Sequence, residues 1–506
     1  MNPSTNLALN HVGYTYPGAA HPAVRDVSAA FPAGWTGIVG DNGCGKTTLA
    51  MIAVGLLDPD EGSVTPRLFG EYCRQDSSAE PDALYDFACD WDRNAVRLRQ
   101  LLSIGDDWPW RYNQLSGGQQ KRLQVACCLW RRPDLLVMDE PTNDLDAQSR
   151  AAICRALDEF KGIGLLISHD RQLLDDLVSQ CLVFENGAAT MRPGGYTKAM
   201  EQAGLEATAA RHARDQARKE AARIQDEARR CNEEAQRSKS RLSARDVGKH
   251  DGSMRDKLGR AKVSGKDGVA GRASSAMSSR LAAAQAKLEA SPAPKRYDYR
   301  FEAIGVPAAS KTACHIKETV LAYGSAEGAS AFALSAPELW VSPTDHVGIT
   351  GPNGSGKSTL LRHALARIPE GVRVAYVPQD VSEARRSEAL RKLREYGQAD
   401  MGQVLSHVAR LNSDPKRIID GEDVSPGEMR KLILAELLLE DPNVLVLDEP
   451  TNHLDVGSIE ALQGLVRSFA GAVLLVSHDM RLVGESCTVR WMLEEIVPGR
   501  FSVHTE

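Results

Sequence analysis

The chain has 506 residues, which at roughly 100 to 200 residues per domain is enough for two to four domains. Hydrophobic residues make up 42% of the chain and charged residues 25%. This balance is typical of globular proteins and excludes a mainly disordered or collagen-like chain. The formal net charge is -6, a small mean value that conceals one strongly basic segment.

No membrane or export segment is predicted. The longest apolar stretches, such as 135–138 and 470–476, are much shorter than the roughly 20 residues that cross a bilayer. Residues 1–10 contain neither a basic cluster followed by an apolar run nor a small-residue cleavage site, so we expect a cytoplasmic protein without a secretory signal. Ten cysteines without a C-x-x-C pair predict reduced thiols, with neither a disulfide framework nor a metal site.

Short apolar strands alternate with helical stretches along the first part of the chain. A strand at 35–39 leads into a glycine-rich loop at 40–47, and a helical pattern follows it. Further aliphatic runs at 135–138 and 164–167 are separated by helical stretches. This order is typical of a parallel sheet flanked by helices, so an α/β fold is predicted.

The next part of the chain is basic and helical. Residues 206–296 carry 22 Lys and Arg against 12 Asp and Glu, a net charge of +10 that leaves -16 for the rest. Residues 204–243 contain no proline and no glycine after the first position, which predicts a helix on the order of 60 Å long. Glycines recur through 244–271 and interrupt this helix, and 272–290 is predicted to be helical again. The segment is therefore predicted to form a helical hairpin.

The last part of the chain repeats the first. The loop GDNGCGKT at 40–47 recurs as GPNGSGKS 311 residues later, DEPTN at 139–143 recurs 309 residues later, and SHD at 168–170 recurs at that same offset of 309. Motifs that recur at nearly one offset indicate two copies of one domain. The predicted boundaries are 1–203 for the first domain, 204–296 for the linker and 297–506 for the second domain.

The glycine-rich loops predict two phosphate-binding sites. Glycines let backbone N–H groups close around phosphate oxygens at a helix start, while the lysine meets the β and γ phosphates and the hydroxyl meets Mg²⁺. Lys46 and Thr47 would take these roles in the first copy, and Lys357 and Ser358 in the second. An ordinary glycine turn is the alternative for one such loop, but two copies in register argue against it.

Each copy also has an Asp-Glu pair at the end of an apolar strand. Asp139 and Asp448 are candidates for carboxylates on the metal side. Glu140 and Glu449 are candidates for orienting and polarising an attacking water molecule. A solvated strand end is the alternative interpretation for either pair taken alone.

The segment LSGGQQ at 115–120 resembles the signature of the ATP-binding cassette superfamily. The resemblance covers both copies, about 400 residues. It implies two P-loop cassettes that close head to tail, with each ATP held between the phosphate loop of one and the signature of the other. The implied partners across the two copies are Ser425 and Gly427 for Lys46, and Ser116, Gly117 and Gly118 for Lys357.

The resemblance also implies a role for each site residue, although a single Gln or His is more often structural when its position is ignored. The implied catalytic residues are Glu140, Glu449 and the switch histidines His169 and His478, with Asp146 and Asp455 in the D-loops. The implied metal ligands are Thr47, Gln75, Asp139, Ser358, Gln379 and Asp448. The implied ATP-binding residues are Tyr16, Gly40, Asp41, Asn42, Gly43, Cys44, Gly45, Lys46, Thr47, Thr48, Gln75, Ser116, Gly117, Gly118, Gln119, Gly351, Pro352, Asn353, Gly354, Ser355, Gly356, Lys357, Ser358, Thr359, Gln379, Ser425, Gly427 and Glu428.

The second copy departs from the family pattern at two places. Tyr16 stands 24 residues before Gly40 and matches the aromatic residue that stacks on adenine, whereas Glu327 has this spacing in the second copy. The second signature is VSPGE at 424–428, with Pro426 where a glycine N–H would donate. We therefore expect slower hydrolysis at the site that uses this second signature.

Two cassettes on one chain with a basic linker of roughly 90 residues resemble the ABC-F proteins, which act on the ribosome. The motif EPTNHLD at 449–455 fits that family. In the first copy, Asp144 replaces the usual histidine of this motif. The resemblance implies that the linker hairpin contacts rRNA and P-site tRNA. Charge supports this independently, because Lys and Arg on a +10 segment bind phosphates without reading base sequence. A solvated charged helix pair is the alternative.

The spacing of the motifs favours one group within that family. Only 40 residues separate Gln75 from the first signature, against 46 in the second copy, which leaves no room for the arm subdomain of some ABC-F members. The chain thus resembles the antibiotic-resistance group, whose linker tip approaches the peptidyl transferase centre. The corresponding tip is 249–271, and its apolar residues Met254, Leu258 and Val263 are expected to pack within the hairpin or to contact rRNA.

Two other classes of protein compete with this interpretation. A fused ATPase subunit that energises a separate membrane permease would need only a short tether and no basic hairpin. A DNA-repair cassette ATPase would carry zinc-binding cysteine pairs and long coiled-coil insertions inside a cassette, which this sequence lacks. The sequence therefore predicts an α/β ATP hydrolase with two tandem cassettes, ATP and Mg²⁺ as ligands, and the ribosome as partner.

Overall fold

The computed structural model describes residues 6–143, 145–185, 187–241, 266–290, 301, 304–323, 332–420, 424–452 and 454–506. Its contacts divide the chain into two compact units, one made of Met1–Ala199 with Tyr297–Glu506 and the other of Met200–Arg296. Both repeats fall within the first unit, so the predicted domain boundaries stay predictions. The predictions that lie outside the described residues concern Asp144, Glu327, His453 and 249–265 of the linker tip.

The first repeat consists of short strands and helices that alternate along the chain. In chain order they are β1 (Leu7–Tyr14), β2 (Val24–Phe31), β3 (Gly34–Gly40), α1 (Lys46–Ala53), β4 (Glu61–Thr65), β5 (Gly70–Cys73), α2 (Leu84–Cys89), α3 (Arg93–Leu101), a 3-10 helix (Trp108–Gln114), α4 (Gly117–Trp130), β6 (Leu135–Asp139), α5 (Ala147–Asp158), β7 (Ile163–Ile167), α6 (Arg171–Leu177), β8 (Gln180–Glu185) and β9 (Ala188–Pro193). Every residue of β6 and β7 is buried, because both faces of a central parallel strand are covered.

The strands of the first repeat form two sheets. The larger has the order β5-β6-β7-β3-β8-β9, and all its neighbours are parallel except β8 and β9. The smaller is antiparallel with the order β2-β1-β4. Because β3, β6 and β7 are parallel neighbours, the loops that follow them meet at the carboxyl edge of the larger sheet.

The linker contains two long helices, which confirms its predicted helical character. Helix α7 (Tyr196–Arg241) has 46 residues and spans roughly 70 Å at ~1.5 Å per residue. Helix α8 (Lys266–Glu289) begins six residues before the predicted 272, so the expected start was wrong. Helix α8 includes Gly268 and Gly271, because a glycine costs a helix only about 1 kcal/mol relative to alanine.

Small and aliphatic side chains pack α7 against α8. Ala221 and Ile224 of α7 form one buried cluster with Ala284 of α8. An ion pair joins the same two helices, with Lys287 Nζ 3.2 Å from Glu220 Oε2. Among the described helices, none is both long enough and apolar enough to cross a membrane.

The second repeat has the same alternation of strands and helices. In chain order its elements are β10 (Cys314–Ile316), β11 (Thr319–Tyr323), β12 (Phe332–Ala336), β13 (Leu339–Val341), β14 (His346–Thr350), α9 (Lys357–Leu365), β15 (Val374–Val377), α10 (Glu383–Glu395), α11 (Gln398–Arg410), α12 (Pro415–Asp420), α13 (Pro426–Leu438), β16 (Val444–Asp448), α14 (Val456–Ser468), β17 (Ala472–Val476), α15 (Met480–Ser486), β18 (Val489–Val497) and β19 (Arg500–Thr505).

The large sheet of the second repeat matches that of the first. Its order is β11-β12-β19-β18-β14-β17-β16-β15, and the five strands from β18 to β15 are parallel. These five strands correspond to β8-β3-β7-β6-β5, so the second set of motifs also meets at one carboxyl edge. A separate antiparallel pair joins β10 and β13. The predicted class, two similar α/β domains with a helical linker, is confirmed.

Alternate residues of β16 belong to two different apolar clusters. Val444 and Val446 pack in a cluster that includes Leu360 of α9. Leu445 and Leu447 pack in the other, which draws on α13, α14 and α15. Since successive side chains of a strand point to opposite faces, the core covers both faces of the sheet and holds its carboxyl edge rigid.

Candidate nucleotide-binding and active site

Both phosphate loops lie between a central strand and a helix. The first connects β3 to α1, and the second connects β14 to α9. The helix caps Gly45 and Gly356 have φ values of 98° and 92°, in the left-handed region that favours glycine. A Cβ atom at Gly45 would lie 2.2 Å from the carbonyl oxygen of Ala23, so the predicted glycine is required by close backbone approach.

The two loop lysines are buried inside their loops. Lys46 Nζ donates hydrogen bonds to the carbonyl oxygens of Gly40 and Asp41 at 2.8 and 2.9 Å. Lys357 makes the same pair of bonds in the second loop, at 3.0 and 3.1 Å. A helix start with a lysine held above it carries the donors and positive charge that a polyphosphate requires.

A hydroxyl and a carboxylate lie side by side at the end of each loop. Thr47 Oγ1 donates to Asp139 Oδ2 at 2.9 Å, and Ser358 Oγ donates to Asp448 Oδ1 at 3.3 Å. Tyr72 Oη also donates to Asp139 Oδ2, at 2.7 Å. The structure thus brings together, in each repeat, hard oxygen atoms of the kind that Mg²⁺ prefers.

Each Asp-Glu pair places its glutamate against a histidine. Glu140 and Glu449 have φ values of 48° and 46°, a strained backbone for a residue with a side chain. Their Oε2 atoms accept the backbone N–H groups of His169 and His478, both at 3.2 Å. Their Oε1 atoms lie 3.4 and 3.3 Å from Nε2 of the same histidines. The sheet therefore pairs each glutamate with a histidine from the next strand.

Burial controls the protonation of these groups. Desolvation, followed by the charge of Asp139, raises the pKa of Glu140 to about 8. Desolvation, followed by the charge of Lys46, lowers the pKa of His169 to about 3. Desolvation likewise lowers the pKa of His478 to about 4. The imidazoles are neutral at physiological pH, and the Glu140 carboxyl is poised near the pH at which a general base works well.

Residues of both repeats line the cavity at the first loop. Its volume is about 520 Å³, within the range of roughly 300–1,000 Å³ that is usual for small-molecule sites. The predicted residues that line it are Tyr16, Asn42, Gly43, Gly45, Lys46, Thr47, Thr48, Gln75, Asp139, Glu140, His169, Ser425 and Gly427, together with Pro426. The structure therefore brings the second signature to the first phosphate loop.

The cavity at the second loop is built differently. Its volume is about 460 Å³, and all the described residues that line it belong to the second repeat. The predicted residues that line it are Asn353, Gly354, Gly356, Lys357, Ser358, Thr359, Gln379, Glu449 and His478. The first signature, Ser116, Gly117 and Gly118, does not contribute to this lining.

The aromatic side chains at the two cavities come from different places in the sequence. Tyr16 lines the first cavity, and its Oη lies 3.2 Å from Thr48 Oγ1. Phe332, at the start of β12, lines the second cavity. Spacing alone missed Phe332, because it stands only 19 residues before Gly351. Its place as the first residue of an apolar strand was the available signal.

The two signatures cap their helices in the same way but offer different donors. Ser116 with Gln119, and Ser425 with Glu428, form capping boxes at the starts of α4 and α13. The Ser425 hydroxyl also donates to Glu428 Oε2 at 2.8 Å. Pro426 has no backbone N–H. The second signature therefore presents fewer free donors and more negative charge than the first.

Two buried cations outside the predicted motifs hold the backbone at Gln75 and Gln379, the predicted ATP-binding and metal-binding glutamines. Lys121 Nζ donates to the carbonyl oxygens of Arg74 at 2.5 Å and Gln75 at 3.1 Å. Arg430, at the equivalent position of α13, donates to the carbonyl oxygen of Gln379. Both cations stand five residues after the signature serine, and this shared spacing was the signal that could have found them.

Comparison with known proteins agrees with this geometry. Residues 24–143 and 334–452 match the family model described as ABC transporter. The tylosin resistance ATP-binding protein TlrC of Streptomyces fradiae is 29% identical over 552 residues, which cover 95% of this chain and 96% of that protein. The energy-dependent translational throttle protein EttA of Escherichia coli (strain K12) is 26% identical, with 96% of this chain and 90% of that protein covered.

Two further matches extend the comparison. The ribosome protection protein VmlR of Bacillus subtilis (strain 168) is 26% identical, with 88% of this chain and 78% of that protein covered. Among solved structures, the archaeal ribosome recycling factor aABCE1, determined in complex with the archaeal ribosomal stalk protein aP1, has the same fold. Its TM-score is 0.63 at 19% identity, with 97% of this chain and 89% of that chain covered.

The two phosphate loops, the two Asp-Glu pairs and the two signatures define a tandem ATPase of the ATP-binding cassette type. Both cassettes of this chain match the ABC transporter family model. The long helical linker, and the similarity to EttA, VmlR and TlrC over most of the chain, confirm the predicted resemblance to the ABC-F family.

Proposed function

We propose that the protein is an ATP hydrolase that binds the ribosome in an ATP-dependent manner and thereby modulates translation. One observation carries the proposal. Two nucleotide sites on one chain are separated by a long helical segment with a net charge of +10. The sites supply a switch that responds to ATP, and the segment supplies a surface that attracts a polyanion.

ATP fits the residues at both loops. Each loop has a buried lysine and a glycine cap where a Cβ atom would collide with a neighbour, so the backbone can approach phosphate oxygens closely. Mg²⁺, when bound, supplies positive charge that polarises the β and γ phosphates. The residues that would hold it are Thr47, Asp139 and Gln75 in the first repeat and Ser358, Asp448 and Gln379 in the second.

Hydrolysis would begin with removal of a proton from the attacking water. We assign this step to the carboxylates of Glu140 and Glu449, which stand beside the phosphate loops. The backbone N–H groups of His169 and His478 orient these carboxylates. Because both imidazoles are neutral, each can donate one N–H hydrogen bond to a phosphate oxygen without binding a further proton.

The ribosome is the partner that the linker chemistry supports best. The +10 charge of 206–296 contrasts with -16 for the rest of the chain, so a polyanion would attract the linker and repel the cassettes. EttA is called a translational throttle protein and VmlR a ribosome protection protein. These names support the ribosome as the partner, and we propose that rRNA and P-site tRNA are the anions that the linker contacts.

Within translation, we favour protection of the ribosome against an antibiotic. TlrC, a tylosin resistance protein, matches 95% of this chain and 96% of its own length. The interval of 40 residues between Gln75 and the first signature also lacks space for an added arm subdomain. Expression of the protein should therefore raise the inhibitory concentration of at least one ribosome-directed drug, and tylosin is the first to test.

The proposal is tested with a variant that traps ATP. The double substitution Glu140→Gln and Glu449→Gln removes both proposed bases but keeps the phosphate loops intact. We expect it to retain ATP, to hydrolyse none, and to co-sediment with 70S ribosomes when ATP is present.

The matched control is the double substitution Lys46→Ala and Lys357→Ala, which removes the cations that hold the triphosphate. It should neither bind ATP nor sediment with ribosomes. Retention of ATP by the trapped variant without co-sedimentation would refute ribosome binding, and full turnover by that variant would refute the assignment of the two glutamates.

A further inference from the structure

The two repeats meet at the first nucleotide site through a residue outside every motif named so far. Asn412 follows α11, and its φ of 58° lies in the left-handed region that asparagine tolerates well. Its Nδ2 atom lies 3.1 Å from Asp41 Oδ1 and 3.1 Å from Asp455 Oδ1. A side-chain amide has two N–H hydrogens, so Asn412 can donate to both carboxylates at once.

The two carboxylates belong to different functional elements. Asp41 is in the first phosphate loop, and its carbonyl oxygen accepts a hydrogen bond from Lys46 Nζ at 2.9 Å. Asp455 is in the second D-loop, where its Oδ1 accepts the N–H of Ser458 at 2.7 Å and so caps α14. Asn412 therefore joins the loop that holds Lys46 to the D-loop of the other repeat.

The signature helix of the second repeat anchors the same residue. Lys431, buried in α13, donates from Nζ to the carbonyl oxygen of Asn412 at 3.0 Å and to Ser413 Oγ at 3.1 Å. Helix α13 begins at the signature whose Ser425 lines the first cavity. A single asparagine thus connects three parts of the first site: the phosphate loop, the D-loop and the signature helix.

The equivalent positions on the other side cannot form this bridge. Ser103 takes the place of Asn412 in the first repeat, with a φ of 50°, and Arg122 donates to its carbonyl oxygen at 3.3 Å. Pro352 takes the place of Asp41 in the second phosphate loop and has no side-chain acceptor. The backbone scaffold is therefore shared by the two repeats, whereas the side-chain bridge exists at one site.

We propose that Asn412 is a positioning residue that tethers the first phosphate loop to the second cassette and so preassembles the Lys46 site from both repeats. The linings of the two cavities support this tether. Described residues of both repeats line the first cavity, whereas the described residues that line the second belong to the second repeat. ATP at Lys46 then needs little closure, while ATP at Lys357 must draw the first signature toward it. A preassembled site binds ATP more tightly, because the free energy of ordering the site is not subtracted from the free energy of binding.

This inference rests on the proposed binding of ATP at Lys46 but not on ribosome binding. It is tested by a double-mutant cycle of Asp41→Ala and Asn412→Ala, measured by calorimetric titration of ATP and Mg²⁺ into full-length protein. In a Lys357→Ala background only the first site binds. In this background we expect each single variant to weaken ATP affinity about fivefold to tenfold, as expected for the loss of one or two hydrogen bonds. The double variant should bind ATP no more weakly than either single variant.

Two controls separate a tether from a general loss of structure. In a Lys46→Ala background, Asn412→Ala should change the affinity of the second site less than twofold. Ser103→Ala, at the corresponding turn of the first repeat, should change neither site. Additive effects of the two substitutions, or equal weakening of both sites by Asn412→Ala, would overturn the tether. Absence of any ATP binding in the Lys357→Ala background would instead overturn both the tether and the proposed first ATP site.

Discussion

Glu140 and Glu449 combine a strained backbone, burial and the chemistry assigned to them. Their positive φ values persist because the surrounding strands hold the turn after each Asp-Glu pair in place. The same turn aims each carboxylate at the histidine of the next strand. Strain of this kind is concentrated at functional sites, which fits the assignment of these residues as general bases.

The raised pKa of Glu140 predicts a pH-dependent stability. A glutamate titrates near 4.5 in the unfolded chain and near 8 in the folded one. Between these values the folded state keeps a proton that the unfolded state has lost, so stability falls as pH rises through this window. Glu140→Gln removes that titration.

Thermal unfolding of wild type and Glu140→Gln without nucleotide, from pH 5 to pH 8, checks this prediction. The variant should gain stability relative to wild type as pH rises, by roughly 3–4 kcal/mol over this range. A difference that stays constant over the range would contradict the raised pKa. A difference of opposite sign would mean that Glu140 is ionised and stabilised in the folded state.

We expect the aromatic ring of Phe332 to stack on the adenine base in the second cavity. Stacking of a base on an aromatic ring contributes roughly 1–3 kcal/mol. In a Lys46→Ala background, where only the second site binds, Phe332→Ala should therefore weaken ATP binding roughly tenfold, whereas Phe332→Tyr should preserve it. Affinity for GTP should fall together with that for ATP, because stacking does not distinguish the purines. Equal affinities of wild type and Phe332→Ala would exclude the contact.

Motif spacing located the residues that share a loop, but not those that meet from distant segments. The phosphate loops, Asp-Glu pairs and histidines follow directly after predicted strands, so the sequence placed them at one sheet edge. Phe332 and Asn412 reach the same sites from elements whose packing no spacing rule encodes. Their roles depend on tertiary contacts, which appear only once the chain is folded.

The central strands were the most predictable elements of the fold. The predicted strands at 35–39 and 164–167 agree within one residue with β3 and β7, because buried parallel strands are continuous apolar runs. The antiparallel sheet β2-β1-β4 was not predicted. Register shifts within β1 interrupt its pairing, so the alternation that would identify it is broken.

The contact between α7 and α8 predicts how the linker responds to a core substitution. Ile224 is 5% exposed and packs with Ala221 and Ala284. Ile224→Asp would place a charge in this apolar contact, at a cost of several kcal/mol unless the helices separate. We expect weaker ribosome binding by the ATP-trapped protein and unchanged ATP affinity, measured by sedimentation and by titration.

Gln225→Asp is the matched control for that substitution. It adds the same charge one residue away, at an exposed position of the same helix. It should leave ribosome binding within about twofold of the parent, since surface substitutions usually change stability by less than ~0.5 kcal/mol. Equal effects of the two substitutions would mean that charge, and not packing of the hairpin, determines the result.

The two repeats have the same fold but differ in the residues that join them. Arg171, buried at the start of α6, donates to Gln463 Oε1 at 2.9 Å and lies 3.4 Å from Asp479 Oδ2. Met480 stands at the position equivalent to Arg171. The second repeat therefore has no equivalent arginine that could make the same contact with the first repeat. The two nucleotide sites therefore differ in the residues that line them and in their signatures.

We propose that the ATP-bound cassettes use the cationic linker to bind ribosomal RNA. The most direct measurement is the affinity of the ATP-trapped variant for 70S ribosomes over a series of salt concentrations. It compares the parent with Arg255→Gln, Lys257→Gln and Arg260→Gln combined, and with a control that neutralises Lys311, Arg391 and Arg394 in the second cassette. We predict that the linker variant binds more weakly, with a salt dependence shallower by roughly 0.7–0.9 per lost phosphate contact, and that the control matches the parent. An unchanged affinity and salt slope in the linker variant would show that these cations do not bind ribosomal RNA.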